Sequence, residues 1–327
     1  MPSQGLGSTL VIANPASHSG KGAAAAARVK RFFESYENAT ESFELVLTKE
    51  PLDAVRIASQ ASDRDTVIAL GGDGVIHEVV NGLMAIEKER RPRLGIIPMG
   101  SGNDFARTLG MTFNNPDAAL AELLGSSTRT IDLGLVSSDL TPEGPVPGSP
   151  GTYFMETLSF GIDAAIAIDT TRRRAEGTNT EGSALFLTSS IKVVAAGSAG
   201  YPCRAIIDGE EPLDLNTLVF TIQNGPTYGG GFRICPAATP NDGKLELCFN
   251  VKKPSVPRLL FLLALARLGR HTHSRVVRLR DARTVSVDFT ERACPCQIDG
   301  EECLGNHFEM RIVPQALNVI VPATCQW

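Results

Sequence analysis

The sequence predicts an α/β domain followed by a mostly antiparallel β-sandwich, and three observations predict it. First, TLVIA at 9–13, FELVLT at 43–48, TVIAL at 66–70 and LGIIP at 94–98 are short apolar runs rich in β-branched residues, separated by helical stretches. That alternation is the order of a largely parallel sheet covered by helices. Second, glycine-rich segments follow the first, third and fourth of these runs, where ligands of such sheets bind. Third, beyond Asp132 strand-like runs dominate: TYFMETLSF, LNTLVFTIQ, KLELCFN, RVVRL, RTVSVDF and HFEMRIV.

The helices of the first part show one apolar stripe each. Val29, Phe32, Phe33 and Tyr36 recur at helical spacing, as do Ile76, Val79, Val80 and Leu83. The Pro/Gly-rich stretch DLTPEGPVPGSPG at 139–151 reads as a loop or hairpin excursion. Two helical insertions are expected in the second part, near 183–196 and 257–268, and RRRAEGTNTEG at 172–182 is expected to be mobile. The expected domains are 1–134 and 135–327, since 327 residues suffice for two.

Composition narrows the function classes. A formal net charge of -5 gives nucleic-acid binding no support. Seven scattered cysteines do not make a disulfide framework. The N-terminal MPSQGLGSTLVIANPAS lacks the charged and apolar regions of a signal peptide. The most apolar stretch, LLFLLALA at 259–266, falls short of the ~20 residues of a spanning helix. These features lead to the expectation of a soluble cytoplasmic protein with peripheral membrane contact at most, and they leave a homodimer open.

The chemistry lies in three loops of the first domain: NPASHSGKG at 14–22, GGDGVIHEVVNG at 71–82 and PMGSGNDFAR at 98–107. Each follows a strand and opens a helix. Glycine lets a polyphosphate approach backbone N–H groups, and a helix N-terminus favours the anion. Neither a Walker loop nor GxGxxG fits them. Asp73 stands between glycines, where a carboxylate serves phosphate only through a cation such as Mg²⁺, or by orienting an acceptor hydroxyl.

At these loops the sequence resembles the diacylglycerol kinase catalytic-domain family, which covers bacterial diacylglycerol and related lipid kinases, sphingosine kinases and ceramide kinase. GGDGV is similar to its GGDG signature, with Val75 where threonine is commoner, and GSGNDFAR to its third motif, with Ser101 for a frequent threonine. IDLG at 131–134, FGIDAAI at 160–166, NDGKLEL at 241–247 and QIDGEEC at 297–303 resemble its later blocks. The resemblance runs through nearly the whole chain. It implies an NAD kinase/diacylglycerol kinase-like nucleotide-binding domain, ATP and Mg²⁺ as cofactors, and transfer of a phosphoryl group to a lipid hydroxyl.

Carried over by residue, the resemblance has Asn14, Ser19 and Gly20 lining the triphosphate with Thr48 near the nucleoside. Gly72, Asp73 and Gly74 meet phosphates and metal, Glu78 faces the nucleotide, and Gly100 and Ser101 close the far wall. Asp104 and Asp132 support the site. Asp299 and Glu301 of the DGE motif reach back to the active site in bacterial relatives, so Asp73 and Asp299 both stand as general bases. Asp242 is similar to the holder of a structural Mg²⁺. On turn chemistry alone, I-D-G-E and N-D-G are tight turns.

Diacylglycerol or a related neutral lipid alcohol is the first substrate expectation. In sphingosine kinases an acid four residues after the block glycine recognises the amine, and that position here is Ala165, with Asp163 out of register. A long-chain-base or ceramide kinase is the alternative lipid reading. An NAD kinase-like small-molecule kinase and a non-catalytic lipid-binding protein are the alternatives outside it. Arg172, Arg173 and Arg174 could meet phosphates or headgroups or be a solvated run. Cys294, Cys296 and Cys303 lack the spacing of a zinc site. The helix at 257–268 reads as buried, or as the border of an acyl channel or bilayer.

Overall fold

The computed structural model describes residues 5–36, 39–175, 188–190, 192–193 and 199–327. The chain forms two compact units. The first comprises Met1–Asp132, Gly144–Ser149 and Gln315–Trp327, and the second Leu133–Glu143 and Pro150–Pro314.

In the first unit, strands β1 (Ser8–Ala13), β2 (Ser42–Leu47), β3 (Thr66–Gly71) and β4 (Arg93–Pro98) lie in the order β2-β1-β3-β4, all parallel. The four expected runs are these strands. The centre of β3 and β4 is fully buried, as strands covered on both faces must be. The strand order reverses at β1, which places a switch-point crevice at the carboxyl ends of β1 and β3.

Helices α1 (Ser17–Ser35), α2 (Asp53–Ser59), α3 (Asp73–Met84), α4 (Asp104–Leu109) and α5 (Pro116–Leu124) accompany the sheet. The α3 stripe of Ile76, Val79, Val80 and Leu83 is fully buried, as its spacing predicts. The α1 stripe is rotated from the expected one. Its buried face is Ala25, Ala26, Val29 and Phe33, while Tyr36 is exposed and stacks on Phe32. Alanines, too small to signal a stripe, let α1 sit close.

The last strand, β16 (His307–Val321), reaches the first unit with its carboxyl end. There Val319 pairs with Leu94 in parallel, and Arg91 Nη1 donates to Ala316 O at 2.5 Å. A cut at residue 134 therefore leaves out the segment from Gln315 onward that completes this unit.

The second unit holds β5 (Ser127–Ser138, from Leu133), β6 (Thr152–Phe154), β7 (Thr157–Gly161), β8 (Tyr201–Ile207), β9 (Leu213–Thr217), β10 (Val219–Gln223), β11 (Leu245–Asn250), β12 (Val277–Ala282), β13 (Thr284–Phe289), β14 (Cys296–Ile298), β15 (Glu301–Cys303) and the start of β16. One sheet runs β12-β11-β10-β7-β14-β15, and every pair in it is antiparallel. A second layer is antiparallel β16, β13, β8 and β9. Phe154, Phe160, Phe220, Phe249, Phe289 and Phe308 fill the core. The expected sandwich is present.

Two of its expected strands are each divided in two. TYFMETLSF breaks at Met155 and Glu156, whose amides donate to the Asp299 carboxylate at 2.8 and 3.0 Å. LNTLVFTIQ breaks at Leu218, where Leu218 and Val219 donate to Asn250 Oδ1 at 2.7 and 3.1 Å. In both places a side chain takes amides that a ladder would have used.

Helices α6 (Ile162–Ala175) and α7 (Val256–Ala266) belong to this unit. The expected helix near 183–196 and the segment expected to be mobile fall largely outside the described residues. The reading of α7 as enclosed does not hold, because only Leu262 and Ala266 of its residues are buried. No helix among the described residues is long and apolar enough to cross a membrane.

Helices α2 and α3 cross at Gly82, where a Cβ would lie 2.4 Å from the Val55 carbonyl oxygen. Alanine would gain up to ~1 kcal/mol in helix propensity but must force two packed backbones apart, and such overpacking costs ~1–3 kcal/mol. Gly82→Ala is therefore expected to lower the unfolding free energy in urea denaturation. An unchanged or higher midpoint would show that the crossing yields.

Candidate active site

The first loop leaves β1 at Asn14. Its amide donates to Leu70 O of β3 at 3.0 Å, and its Oδ1 accepts from Ala16 N at 2.9 Å. His18, Ser19 and Gly20 then take consecutive left-handed conformations, with φ of 49°, 55° and 87°. Two non-glycine residues in this region cost ~1–2 kcal/mol each. Strain of this kind is kept where a loop must present its backbone, since such turns aim successive amides into an anion-binding concavity. Gly22 lets the helix fold back, because a Cβ there would sit 2.2 Å from Asn14 O. Thr48 follows β2 beside this loop, and its amide donates to Ala13 O at 2.9 Å.

The second and third loops touch. Met99 N donates to Gly71 O at 2.7 Å, and a Cβ on Gly100 would lie 2.7 Å from Gly72 Cα. Gly72 caps α3, so half-buried Asp73 is the first residue of that helix, where its charge is favourable. Val75 is buried and packs against Gly71, so the unusual valine lies beneath the loop.

In the third loop Asn103, left-handed at φ 53° and buried, donates from Nδ2 to Gly100 O at 2.7 Å. Its Oδ1 is buried with no hydrogen-bond partner among the described residues. Sequence reasoning gave Asn103 no role at the site. Its signal was an asparagine just before a helix, a position open to left-handed backbone.

The first unit thus brings Asn14, Ser19, Gly20, Thr48, Gly72, Asp73, Gly74, Gly100 and Ser101 to the ends of adjacent strands. Asp104 is buried in the first turn of α4. Buried Asp132 accepts from Gln315 N at 2.7 Å, bracing the returning C-terminal segment. Glu78 departs from its expected place, because its Oε2 accepts from Ala54 N at 3.1 Å and caps α2.

In the second unit the DGE motif forms the β14–β15 hairpin, with Asp299 and Gly300 left-handed at its tip. The Asp299 carboxylate accepts from Met155, Glu156 and Thr157 amides at 2.8, 3.0 and 3.0 Å, so both its oxygens are engaged by backbone. Glu301 is exposed beside it. Asp242 is exposed in a turn closed by left-handed Gly243, and its Oδ1 accepts from Lys244 N at 3.0 Å. No group of three or more His, Cys, Asp or Glu that could hold a metal exists among the described residues. The Cys294, Cys296 and Cys303 thiols are free. Arg172 pairs with Asp169 at 3.2 Å, Arg173 bonds Thr188 and Ser189, and the side chain of Arg174 lies outside the described residues.

The second unit also contains an apolar cavity walled by α6, α7 and the β10–β12 face. Ile162, Ile166, Leu259, Leu263 and Val277 line it, with Asp163, Tyr228, Asn250 and His271 among its polar residues. Tyr228 Oη lies 3.4 Å from Asp163 Oδ2. Burial pushes the Asp163 carboxyl up to about 7. Ala165, the position that the resemblance singles out, is not among the lining residues; Asp163 is.

Asp299→Ala is expected to cost ~2–4 kcal/mol in chemical denaturation, since charged hydrogen bonds are lost and buried amides left unsatisfied. A loss below ~0.5 kcal/mol would show water replacing the carboxylate. Asp163 makes a pH prediction. Above an ordinary value of 3.8 the unfolded chain has released this proton, while the native protein holds it to about 7. Stability therefore falls as pH rises through that window, and Glu246, also raised to about 7 chiefly by burial, acts in the same direction. In thermal melts across that range, Asp163→Asn should flatten the decline relative to wild type.

Known proteins share this arrangement. The profile of the diacylglycerol kinase catalytic domain matches residues 8–136, and that of the YegS C-terminal NAD kinase beta sandwich-like domain matches residues 156–321. The probable lipid kinase YegS-like of Chromohalobacter salexigens is 32% identical over 285 residues, covering 84% of this chain and 83% of its own. Its namesake in Yersinia pestis is 29% identical over 282 residues, covering 85% and 87%. The crystal structure of a diacylglycerol kinase from Bacillus anthracis str. Sterne shares the fold, with a TM-score of 0.74 and 21% identity over 98% of each chain. With three glycine turns at neighbouring strand ends and both profiles in sequence, the chain belongs to the YegS-like lipid kinases, a family built on the diacylglycerol kinase catalytic domain.

Proposed function

We propose that the protein transfers the terminal phosphoryl group of ATP to the hydroxyl of a neutral glycerolipid, diacylglycerol or a close relative. The observation that carries this reading is the convergence of three glycine turns on the switch point of a parallel sheet, two of them in backbone contact at Gly72 and Gly100. Phosphoryl transfer asks a protein mainly for positioning and for charge to meet the phosphate oxygens. The left-handed run at His18–Gly20 and the starts of α3 and α4 offer amides for that purpose. Asn14, Ser19, Gly20, Gly72, Gly74, Gly100 and Ser101 would line the triphosphate, with Thr48 towards the nucleoside.

The oxygen donors on these turns suit a hard cation. Asp73 and the unpartnered Asn103 Oδ1 would hold a magnesium ion accompanying the nucleotide, and the ion would neutralise charge on the phosphates. Asp73 is favoured over Asp299 as the group that orients the acceptor hydroxyl and receives its proton. Three backbone amides already occupy the Asp299 carboxylate and give it a structural task.

The apolar cavity of the second unit would receive hydrocarbon. Asp163 inside it favours a second reading, a long-chain base whose ammonium would pair with the carboxylate. Incubation with labelled ATP, Mg²⁺ and a panel of diacylglycerol, monoacylglycerol, ceramide and sphingosine decides between them. Asp73→Asn is expected to lower turnover by roughly 10²-fold or more with an unchanged circular dichroism spectrum. Wild-type turnover in that variant would remove Asp73 from the chemistry.

A further inference from the structure

A helix that is apolar nearly all round is ordinarily enclosed, and α7, which carries a single arginine, is not. Its inner residues Leu259, Leu262, Leu263 and Ala266 line the cavity. On the other side Val256, Leu260 and Phe261, with Leu268 just beyond, are 50%, 41%, 62% and 62% exposed. Its 11 residues extend ~16 Å, about half the ~30 Å of a bilayer core. It can lie on a membrane and cannot span one.

Charge is segregated around this helix. Between Val251 and Arg280 the sequence places eight lysines and arginines and no aspartate or glutamate, in a chain of formal net charge -5. Lys252, Lys253, Arg258, Arg270, Arg275 and Arg278 are exposed. The fold gathers them. Val251 N donates to Val276 O at 3.0 Å, Arg258 Nη2 reaches Ser274 Oγ at 3.4 Å, and α7 packs on the turn Arg270–His273, which packs on β12. Exposed aliphatic and aromatic side chains thus share one region with a set of cations.

We propose that α7 and its basic surround dock the protein on an anionic phospholipid bilayer, with the helix in the headgroup plane and Val256, Leu260, Phe261 and Leu268 entering the acyl boundary. Apolar insertion and electrostatic attraction are each weak alone, and together they hold a peripheral protein. A second copy of the chain would cover the apolar stripe by bringing the same cations up against themselves. An anionic lipid surface satisfies both. The proposal deepens the lipid-kinase reading, which gives the protein reason to visit a membrane, but it is tested without turnover.

The test is co-sedimentation of the full chain with phosphatidylcholine vesicles, with and without phosphatidylglycerol, at low and high salt. Binding is expected to be roughly tenfold or more tighter to the anionic vesicles and to weaken with salt. Lys252→Glu and Lys253→Glu should each lower affinity by about fivefold or more, and Phe261→Glu should lower it on both kinds of vesicle. Circular dichroism and melting curves check that each variant is folded. Equal wild-type binding to both vesicle types, no binding, or wild-type affinity in the lysine variants would overturn the proposal. So would Phe261→Glu acting only on the sedimenting mass of the lipid-free protein, which would mark the stripe as a contact between copies. Phosphorylation of a short-chain lipid dispersed as monomers separates the two readings. Turnover kept while vesicle binding is lost in the variants supports the docking surface. Vesicle binding with no turnover on any lipid removes the kinase reading and leaves docking standing.

Discussion

Two loops whose backbones press together leave little space for a Cβ at the point of contact, and the first unit is arranged around one such meeting. Gly72 ends the turn after β3 and Gly100 the turn after β4, and a methyl group would lie 2.7 Å from the facing backbone on Gly100 and 3.2 Å on Gly72. That approach fixes where α3 begins, and so where Asp73 stands. Asn103 secures the other side by bonding the Gly100 carbonyl, at the expense of a left-handed backbone. The first loop is held to the same place by the bond from Asn14 N to Leu70 O. Three loops far apart in sequence thus share one origin at adjacent strand ends.

Much of this was legible in the residues. Parallel strands buried on both faces are rich in apolar residues, so β1, β3 and β4 announce themselves, and glycines at strand ends mark where backbone must come close. The exposed outer face of α7 was not legible, because an apolar residue looks the same whether it meets a core or a surface. Nor was the orientation of Glu78. Its position one turn into α3 fits a nucleotide contact as well as it fits the cap of α2 that it makes. The place of Asp163 in the cavity wall was hidden by counting positions from Gly161, which pointed to Ala165 instead.

The second unit shows how side chains edit a strand pattern. Periodicity reads TYFMETLSF and LNTLVFTIQ as single strands, and each is interrupted where a distant acceptor, Asp299 or Asn250, takes adjacent amides. Such acceptors lie about thirty to more than a hundred residues away along the chain, beyond any local window. The same contacts tie the tip of the DGE hairpin into the break between β6 and β7.

The return of the C-terminal segment to the first unit has a consequence for biosynthesis. Gln315 bonds Asp132, Thr324 bonds Gly110, and Trp327 Nε1 donates to Thr108 O at 2.9 Å while Arg129 lies over its ring. The nucleotide-loop unit therefore stays incomplete until Gln315–Trp327 has been synthesised, long after β1 to β4. The second unit can be finished earlier. The nascent chain is expected to hold this unit without its closing segment while the second unit is made, and a stop before Gln315 would damage a unit whose other strands lie far upstream.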